Sequence, residues 1–435
     1  MRSVGRQDIV ARYRSGVSDN SDAAGGELRD VQNAPATDVR ASGSGPAILG
    51  QPHDEGVVPE PAAMSKAWRW LAVAATIYLL ICAVSIVGRG FRALGADAAE
   101  SLFGFASNPL VALCVGILAT VLIQSSTTTT AITVAAVGAG ALSVHGAIPI
   151  VIGSNLGTTV TCTFVALGFV GNREEFRRAL AASTIHDFFN LLALLLIFPI
   201  EVVFHPLERL SDRLAQLLQG SVLPDPSNAN FVSALTRPFV SLVTGFTLRP
   251  DGVLGAFLTV LTGVALIFLA VRLLSANLKV LMVGSARRVL TNAVGRNAAV
   301  AMATGTGVTV ITQSSTVTNS ILVPFVGSGT LTPRQIYPVT LGANLGTTFT
   351  ALLAAFAVTG GNSLIALQVA FVHVLYNVLA IVLIFVIPLL RPLPLYCAET
   401  LARYAAQNKA ILAAYIITVF IVLPAIVILS ALIFW

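Results

Sequence analysis

Two short polar stretches with the same sequence interrupt long apolar segments of this chain. They are Gln124-Ser125-Ser126-Thr127 and Gln313-Ser314-Ser315-Thr316. Hydroxyl and amide groups are costly against lipid unless they are buried in protein or line an aqueous cavity. A helix broken there frees backbone N–H groups, which together with serine hydroxyls can bind an anion. Freed carbonyls and the oxygens of glutamine, asparagine and threonine suit a hard cation such as sodium. The stretches therefore predict a site for an anion and a small cation together.

The two stretches belong to an internal repeat. Residues 124–159 align without a gap on residues 313–348, and half of the aligned positions are identical. The repeat includes two copies of Asn-Leu-Gly-Thr-Thr, which begin at Asn155 and Asn344. Close packing of small residues between membrane helices is the alternative explanation for one such motif. Two copies in register favour a duplicated binding site.

The composition of the chain predicts a membrane protein. Hydrophobic residues make up 55% of it, charged residues only 11%, and the mean hydropathy is +0.84. A soluble domain carries about 25% charged residues. The apolar runs are continuous and long, which favours helices over the alternating strands of a β-barrel. The predicted fold class is therefore an all-α polytopic membrane protein. The net charge of +6 comes with arginines in short loops, where they set topology, so no nucleic-acid partner is expected.

The remaining motifs of the sequence argue against an enzyme. There is no nucleotide-binding loop, metalloprotease His-Glu pair or nucleophile elbow, so a primary pump or a hydrolase is a poor fit. We expect no organic cofactor. The four cysteines have no metal-ligand spacing and are interpreted as free thiols: Cys82, Cys114, Cys162 and Cys397.

Hydropathy and loop composition divide the chain into five parts. These are a disordered cytoplasmic tail (1–65), a first transmembrane repeat (66–204), an extracytoplasmic linker (205–250), a second transmembrane repeat (251–390), and a loop with a terminal transmembrane helix (391–435). Arginine-rich loops at 171–178 and 276–297 are predicted to be cytoplasmic. The two polar stretches then enter the membrane from opposite faces as re-entrant hairpins. This predicts two inverted-topology repeats, with seven spans, two hairpins and the C-terminus outside.

A second pair of motifs carries histidines. His186 and Asn190 recur as His373 and Asn377, at an offset of 187 residues. Residues four apart share a helix face, so we favour an interhelical hydrogen bond for both histidines.

One acidic residue breaks the symmetry between the halves. Asp187 has Val374 at the matching position of the second half. An intramembrane carboxylate is by default a functional hypothesis, and the alternative is an ion pair with Arg177 or Arg178. Arg272, near the end of a span, is predicted to be interfacial or snorkelling, as is Glu201.

At these residues the chain resembles the type II sodium/phosphate cotransporters, including their bacterial members. The resemblance covers about residues 66 to 434. It rests on both Gln-Ser-Ser motifs, both Asn-Leu-Gly-Thr-Thr motifs, Phe176-Arg177-Arg178-Ala179, His186-Asp187-Phe188-Phe189-Asn190, and His373 with Asn377. It implies sodium-driven uptake of inorganic phosphate across the plasma (inner) membrane, with the phosphate held between the two Gln-Ser-Ser elements. Residues 205–250 contain neither a cysteine nor an Asn-X-Ser/Thr acceptor, which fits a bacterial member rather than an animal one.

The site prediction combines the residue chemistry with this resemblance. Phosphate is assigned to Ser125, Ser126, Thr127, Ser314, Ser315 and Thr316. Sodium is assigned to Gln124, Asn155, Thr158, Asp187, Gln313, Ser314, Asn344, Thr347 and Thr350. The resemblance itself implies a sodium site at Gln313, Ser314, Thr347 and Thr350. It also matches Asp187 to the aspartate of electrogenic members. Ala343 stands where the family usually has a serine, so one sodium ligand is absent or replaced by a backbone carbonyl.

Three functional hypotheses stay open at this point. The first is a sodium-coupled phosphate importer in the lipid bilayer, of unspecified oligomeric state. The second is a sodium-independent anion channel or a phosphate exporter on the same scaffold. The third is a membrane scaffold or receptor, which the paired intramembrane polar motifs disfavour.

Overall fold

A computed structural model describes residues 66–434 except 96–97, 99–100, 102, 219–225, 251, 296 and 359–361. The tail predicted over residues 1–65, and its cytoplasmic location, lie outside the described residues.

The first half of the described chain contains six helices. They are α1 (Lys66–Leu94), α2 (Pro109–Ile123), α3 (Ser126–Gly138), α4 (Val144–Gly157), α5 (Val160–Leu167) and α6 (Arg173–Phe204), with a 3-10 turn at Gly104–Ser107 before α2. Two helices follow within the predicted linker, α7 (Pro206–Leu217) and α8 (Pro226–Thr247).

The second half repeats the pattern of the first. It contains α9 (Val253–Ala293), α10 (Ala298–Thr312), α11 (Ser315–Gly327), α12 (Pro333–Phe356) and α13 (Ser363–Ala380), which continues as a π-helical stretch to Val386. The chain ends with α14 (Leu393–Gln407), α15 (Lys409–Ile417), a π-helical turn (Thr418–Val422) and α16 (Leu423–Phe434).

Within the described ranges, seven helical segments are long and apolar enough to cross a bilayer. They are Lys66–Leu94, Val144–Leu167, Arg173–Phe204, Val253–Leu281, Pro333–Phe356, Ser363–Val386 and Lys409–Ile433. Large apolar side chains lie exposed on the outside of the bundle, including Leu122 and Leu432, which is typical of a surface solvated by lipid. The predicted all-α polytopic class is confirmed.

Both polar stretches lie at the tip of a helical hairpin. The first hairpin is α2–α3 and the second is α10–α11. The open end of the first hairpin lies by the C-terminus of α6, where Pro109, His145 and His205 border one small cavity. The open end of the second lies by the N-terminus of α6, where Arg178 Nε donates a 2.9 Å hydrogen bond to the Gly327 carbonyl. The hairpins therefore open toward opposite ends of α6. The inverted topology of the repeats across a membrane stays a prediction.

Repeated glycines allow each hairpin to pack closely on the helix that follows it. A Cβ on Gly153 of α4 would overlap the Leu113 carbonyl of α2, and a Cβ on Gly342 of α12 would overlap the Met302 carbonyl of α10. Small residues permit such backbone approach between membrane helices. Close packing therefore explains the repeated glycines, and the Gln-Ser-Ser stretches need a separate explanation.

The predicted linker and the predicted loop after residue 390 both contain helices. In α7, Leu207, Ser211 and Ala215 are buried, and in α14 the buried positions include Ala398 and Ala402. A spacing of four places these side chains on one helix face. Each segment therefore packs along the bundle, where the sequence led us to expect a linker and a loop.

Candidate anion and cation site

The two hairpin tips have the same backbone conformation. Gln124 ends α2 with φ 58° and ψ 28°, and Gln313 ends α10 with φ 52° and ψ 30°. This left-handed conformation is uncommon for a residue other than glycine. Among the described residues, only one other non-glycine residue, His205, has a positive φ. Strained conformations of this kind cluster at functional sites.

The serine after each glutamine begins the second arm of the hairpin. Ser125 Oγ accepts a 3.2 Å hydrogen bond from the Thr128 N–H, and Ser314 Oγ accepts one of the same length from the Val317 N–H. Both serines are therefore helix N-caps. The first turns of α3 and α11, which carry the positive ends of their helix dipoles, begin at these tips.

The two tips meet at one cavity of about 250 Å³. All six residues assigned to phosphate line it, namely Ser125, Ser126, Thr127, Ser314, Ser315 and Thr316. Five of the residues assigned to sodium line it as well, namely Gln124, Thr158, Gln313, Thr347 and Ser314, which is assigned to both solutes. The fold thus brings together residues that lie almost 190 positions apart in the chain. The volume is several times the ~30 Å³ that one water occupies in the liquid.

Arg272, which was not among the predicted site residues, also lines this cavity. It lies within α9, and its Cζ is 5.9 Å from the centre of the Phe268 ring. None of the described residues that border the cavity is acidic. A guanidinium beside serine hydroxyls and two helix N-termini makes the cavity suited to an anion.

Each glutamine of the tips is bound by a threonine further along its own half, in α5 for the first tip and in α12 for the second. The Thr350 hydroxyl donates to Gln313 Oε1 at 2.6 Å, and the Thr161 hydroxyl donates to Gln124 Oε1 at 2.8 Å. Thr161 was not among the predicted ligands, although it precedes Thr350 by the repeat offset of 189 residues. The pairs differ in burial, because Gln313 is 6% exposed whereas Gln124 is exposed.

Each asparagine of the two Asn-Leu-Gly-Thr-Thr motifs is bound by a histidine and an asparagine of the other half, an arrangement we call crosswise. Asn344 pairs with His186 and also donates a 2.7 Å hydrogen bond to Asn190 Oδ1. On the other side, Asn155 Oδ1 lies 3.2 Å from His373 Nε2 and accepts a 3.2 Å hydrogen bond from the Asn377 amide. The favoured interpretation of the histidines as interhelical partners therefore describes the structure well. Neither asparagine borders the cavity, so their assignment to sodium stays a prediction.

Asp187 lies apart from the cavity and is fully buried. Neither of its carboxylate oxygens has a hydrogen-bond partner among the described residues. The hydroxyls of Thr159 and Tyr415 lie near it. Asp187 does not form the alternative ion pair with Arg177 or Arg178. Arg177 binds Glu174 at 2.9 Å, and Arg178 binds a backbone carbonyl. A buried carboxylate without a partner is costly unless a cation or a proton joins it.

Glu201, for which the sequence predicted an interfacial position, lies near the C-terminus of α6. It is buried, and its carboxylate accepts hydrogen bonds from the Leu207 and Glu208 N–H groups at 2.6 and 3.1 Å. It therefore stabilises the N-terminus of α7.

Fold and cavity together define a polytopic helical membrane protein in which two hairpins, related by the internal repeat, enclose a polar binding site. Comparison with known proteins identifies the family. The Na+/Pi-cotransporter family model matches residues 79–217 and 266–387, which is more than half of the chain. The chain belongs to this family, and the resemblance seen in its motifs is confirmed.

Curated relatives agree with this assignment. Sodium-dependent phosphate transport protein 2B of Homo sapiens is 30% identical over 444 residues, which cover 80% of this chain and 63% of the relative. Protein 2A of Ovis aries is 31% identical over 428 residues (81% and 66%), and protein 2A of Mus musculus is 32% identical over 422 residues (81% and 66%). The chain thus spans slightly less than two thirds of the length of these relatives. No solved structure is significantly similar to it.

Proposed function

We propose that this protein is a sodium-coupled secondary transporter that imports inorganic phosphate by alternating access. One observation carries the proposal: both Gln-Ser-Ser-Thr tips border a single cavity. The names of the curated relatives, which are sodium-dependent phosphate transport proteins, support the choice of substrate and driving ion.

Phosphate binds in the cavity between the two tips. The hydroxyls of Ser126 and Ser315 and the first-turn N–H groups of α3 and α11 donate hydrogen bonds to its oxygens, while Arg272 compensates its charge. Ser125 and Ser314 shape the site as N-caps and present their hydroxyls to the same cavity.

Sodium binds at the glutamine corners of the same cavity. Gln313, Ser314, Thr347 and Thr350 supply oxygens in the second half, where the glutamine is buried and its attraction for a cation is less screened. Gln124, Thr158 and Thr161 form the weaker equivalent in the first half. Sodium at these corners lowers the cost of placing phosphate between the tips, which couples the two solutes.

Asp187 takes a further sodium and makes transport electrogenic. The support is the fully buried carboxylate, for which the described residues supply nearby hydroxyls but no cationic partner. A sodium ion there compensates this charge, and net positive charge then enters with each cycle.

Alternation requires that the halves move relative to the site. The hairpins open toward opposite ends of α6, which supports repeats of inverted topology in the plasma membrane. On this view the N-terminus is cytoplasmic and the α7–α8 region lies outside.

Uptake of radiolabelled phosphate into proteoliposomes tests the function. We expect accumulation against a phosphate gradient with external sodium, and no accumulation when choline or potassium replaces sodium. Flux without sodium and without accumulation would instead identify a channel or an exporter.

A further inference from the structure

Three metal-binding side chains converge at one end of the bundle, away from the phosphate cavity. His145 Nδ1 is 3.2 Å from Glu208 Oε2, and His205 Nδ1 is 3.6 Å from the same oxygen. The three ligand atoms all lie within 4.8 Å of one another. They come from the start of α4, the end of α6 and the first turn of α7.

The spacing of these atoms suits a tetrahedral metal. Zinc binds imidazole nitrogen and carboxylate oxygen at about 2.0–2.2 Å, which puts two ligands of a tetrahedron about 3.3–3.5 Å apart. The His145–Glu208 and His205–Glu208 distances fall on either side of this range. Two histidines and one glutamate form a ligand set that zinc uses when its fourth position holds a water.

The backbone holds two of the ligands in place. His205 has φ 50° and ψ 42°, and its N–H donates to the Glu201 carbonyl at 2.9 Å. The Glu201 carboxylate binds the Glu208 N–H at 3.1 Å, while Gln368 Nε2 donates to the Glu208 carbonyl at 3.2 Å. His205 is one of three described non-glycine residues with a positive φ, and the other two are the glutamines of the hairpin tips.

The third ligand is fixed by its own helix start. His145 lies in the first turn of α4, where Ser143 Oγ accepts a 3.1 Å hydrogen bond from the Gly146 N–H. The ring centroids of His145 and His205 lie 5.1 Å apart, and both rings lie beside the Glu208 carboxylate. Both imidazoles therefore face the same carboxylate oxygen. All three side chains are partly exposed, so a metal and a water can reach them from solution.

We propose that His145, His205 and Glu208 form a binding site for a divalent transition metal of the zinc class. Imidazole and carboxylate together favour zinc over calcium or magnesium, which prefer oxygen ligands alone. The ion links the start of α4 to the corner between α6 and α7.

Zinc binding to the purified full chain tests the site without relying on transport. The protein is stripped with chelator and titrated with zinc chloride by calorimetry, and bound metal is counted by mass spectrometry after desalting. We expect one zinc per chain, undiminished by excess calcium. His145→Ala and Glu208→Gln should each weaken this binding by roughly tenfold or more.

Matched variants separate ligand loss from general effects. Asp212→Asn removes a carboxylate one turn further along α7 and should leave zinc binding unchanged. His205→Asn keeps a residue type that tolerates the left-handed conformation and should weaken binding. The proposal is overturned if the wild type binds no stoichiometric zinc, or if correctly folded His145→Ala and Glu208→Gln proteins bind it unchanged.

Discussion

The hydroxyl of Thr350 donates a 2.6 Å hydrogen bond to the side-chain oxygen of Gln313. The same bond joins Thr161 to Gln124 at 2.8 Å in the first half. Duplicated geometry thus extends from the backbone of the tips to the partners of their side chains. The buried position of Gln313 distinguishes the second pair from the exposed first pair.

Removing the second threonine should weaken sodium coupling more than removing the first. Thr350→Val deletes a buried oxygen at the sodium corner, and a net loss of about 1 kcal/mol corresponds to about a fivefold higher sodium concentration for half-maximal uptake. Thr161→Val removes the equivalent oxygen at a solvated corner and should raise the sodium concentration for half-maximal uptake by less than about twofold. Sodium titrations of phosphate uptake measure both. Equal shifts in the two variants would argue against the assigned asymmetry.

Arg272 should determine phosphate affinity. Arg272→Gln removes a charge-assisted donor, which contributes about 1.5–3 kcal/mol, so KM for phosphate should rise by roughly 10-fold or more. Arg249→Gln is the matched control, because Arg249 also lies near a phenylalanine ring but does not border the cavity. Phosphate concentration series in proteoliposomes give both values. An unchanged KM in Arg272→Gln would remove this residue from the site.

Asp187 should confer sensitivity to membrane potential. Wild-type uptake is expected to rise when a potassium gradient with valinomycin makes the vesicle interior negative. Asp187→Asn removes the charge that binds the additional sodium, so uptake by this variant should not respond. The electrogenic role is wrong if wild-type uptake ignores the potential, or if the variant still follows it.

The crosswise asparagine contacts should stabilise the pairing of the halves. Asn344→Ala and Asn190→Ala each leave a buried polar group unsatisfied and should cost about 1–3 kcal/mol in free energy of unfolding. The double variant should show a coupling of about 1 kcal/mol. Denaturant titrations in mixed micelles measure these values. Additive costs in the double variant would contradict a direct contact.

A buried asparagine elsewhere provides the control for this cycle. The side-chain nitrogen and oxygen of Asn319 both lack a hydrogen-bond partner among the described residues. Asn319→Ala should therefore be neutral or stabilising, since no bond is lost.

The repeat made much of the site predictable from the sequence. The fixed offset identified both tips and their threonines, because a duplicated segment keeps its local backbone conformation. The same offset relates Thr161 to Thr350, so the sequence also contained the signal for this residue. The buried face of α7 was also present in the sequence at Leu207, Ser211 and Ala215, but the prolines around it favoured a linker.

Contacts between distant segments were beyond the sequence. Arg272 borders the cavity only because α9 packs beside tips that lie far from it in the chain. Asn155 could be a sodium ligand or a hydrogen-bond partner by residue type alone. Packing of the second half decides the outcome, because it places His373 and Asn377 against this side chain.

The shared phosphate site is tested most directly by matched serine variants. Ser126→Ala and Ser315→Ala remove one cavity hydroxyl from each half, and Ser143→Ala removes an N-cap outside the cavity. Radiolabelled phosphate uptake in sodium is measured for all three at equal amounts of folded protein. We expect KM for phosphate to rise by about fivefold or more in both cavity variants and to stay unchanged in Ser143→Ala. An unchanged KM in either cavity variant would contradict a single site held by both halves.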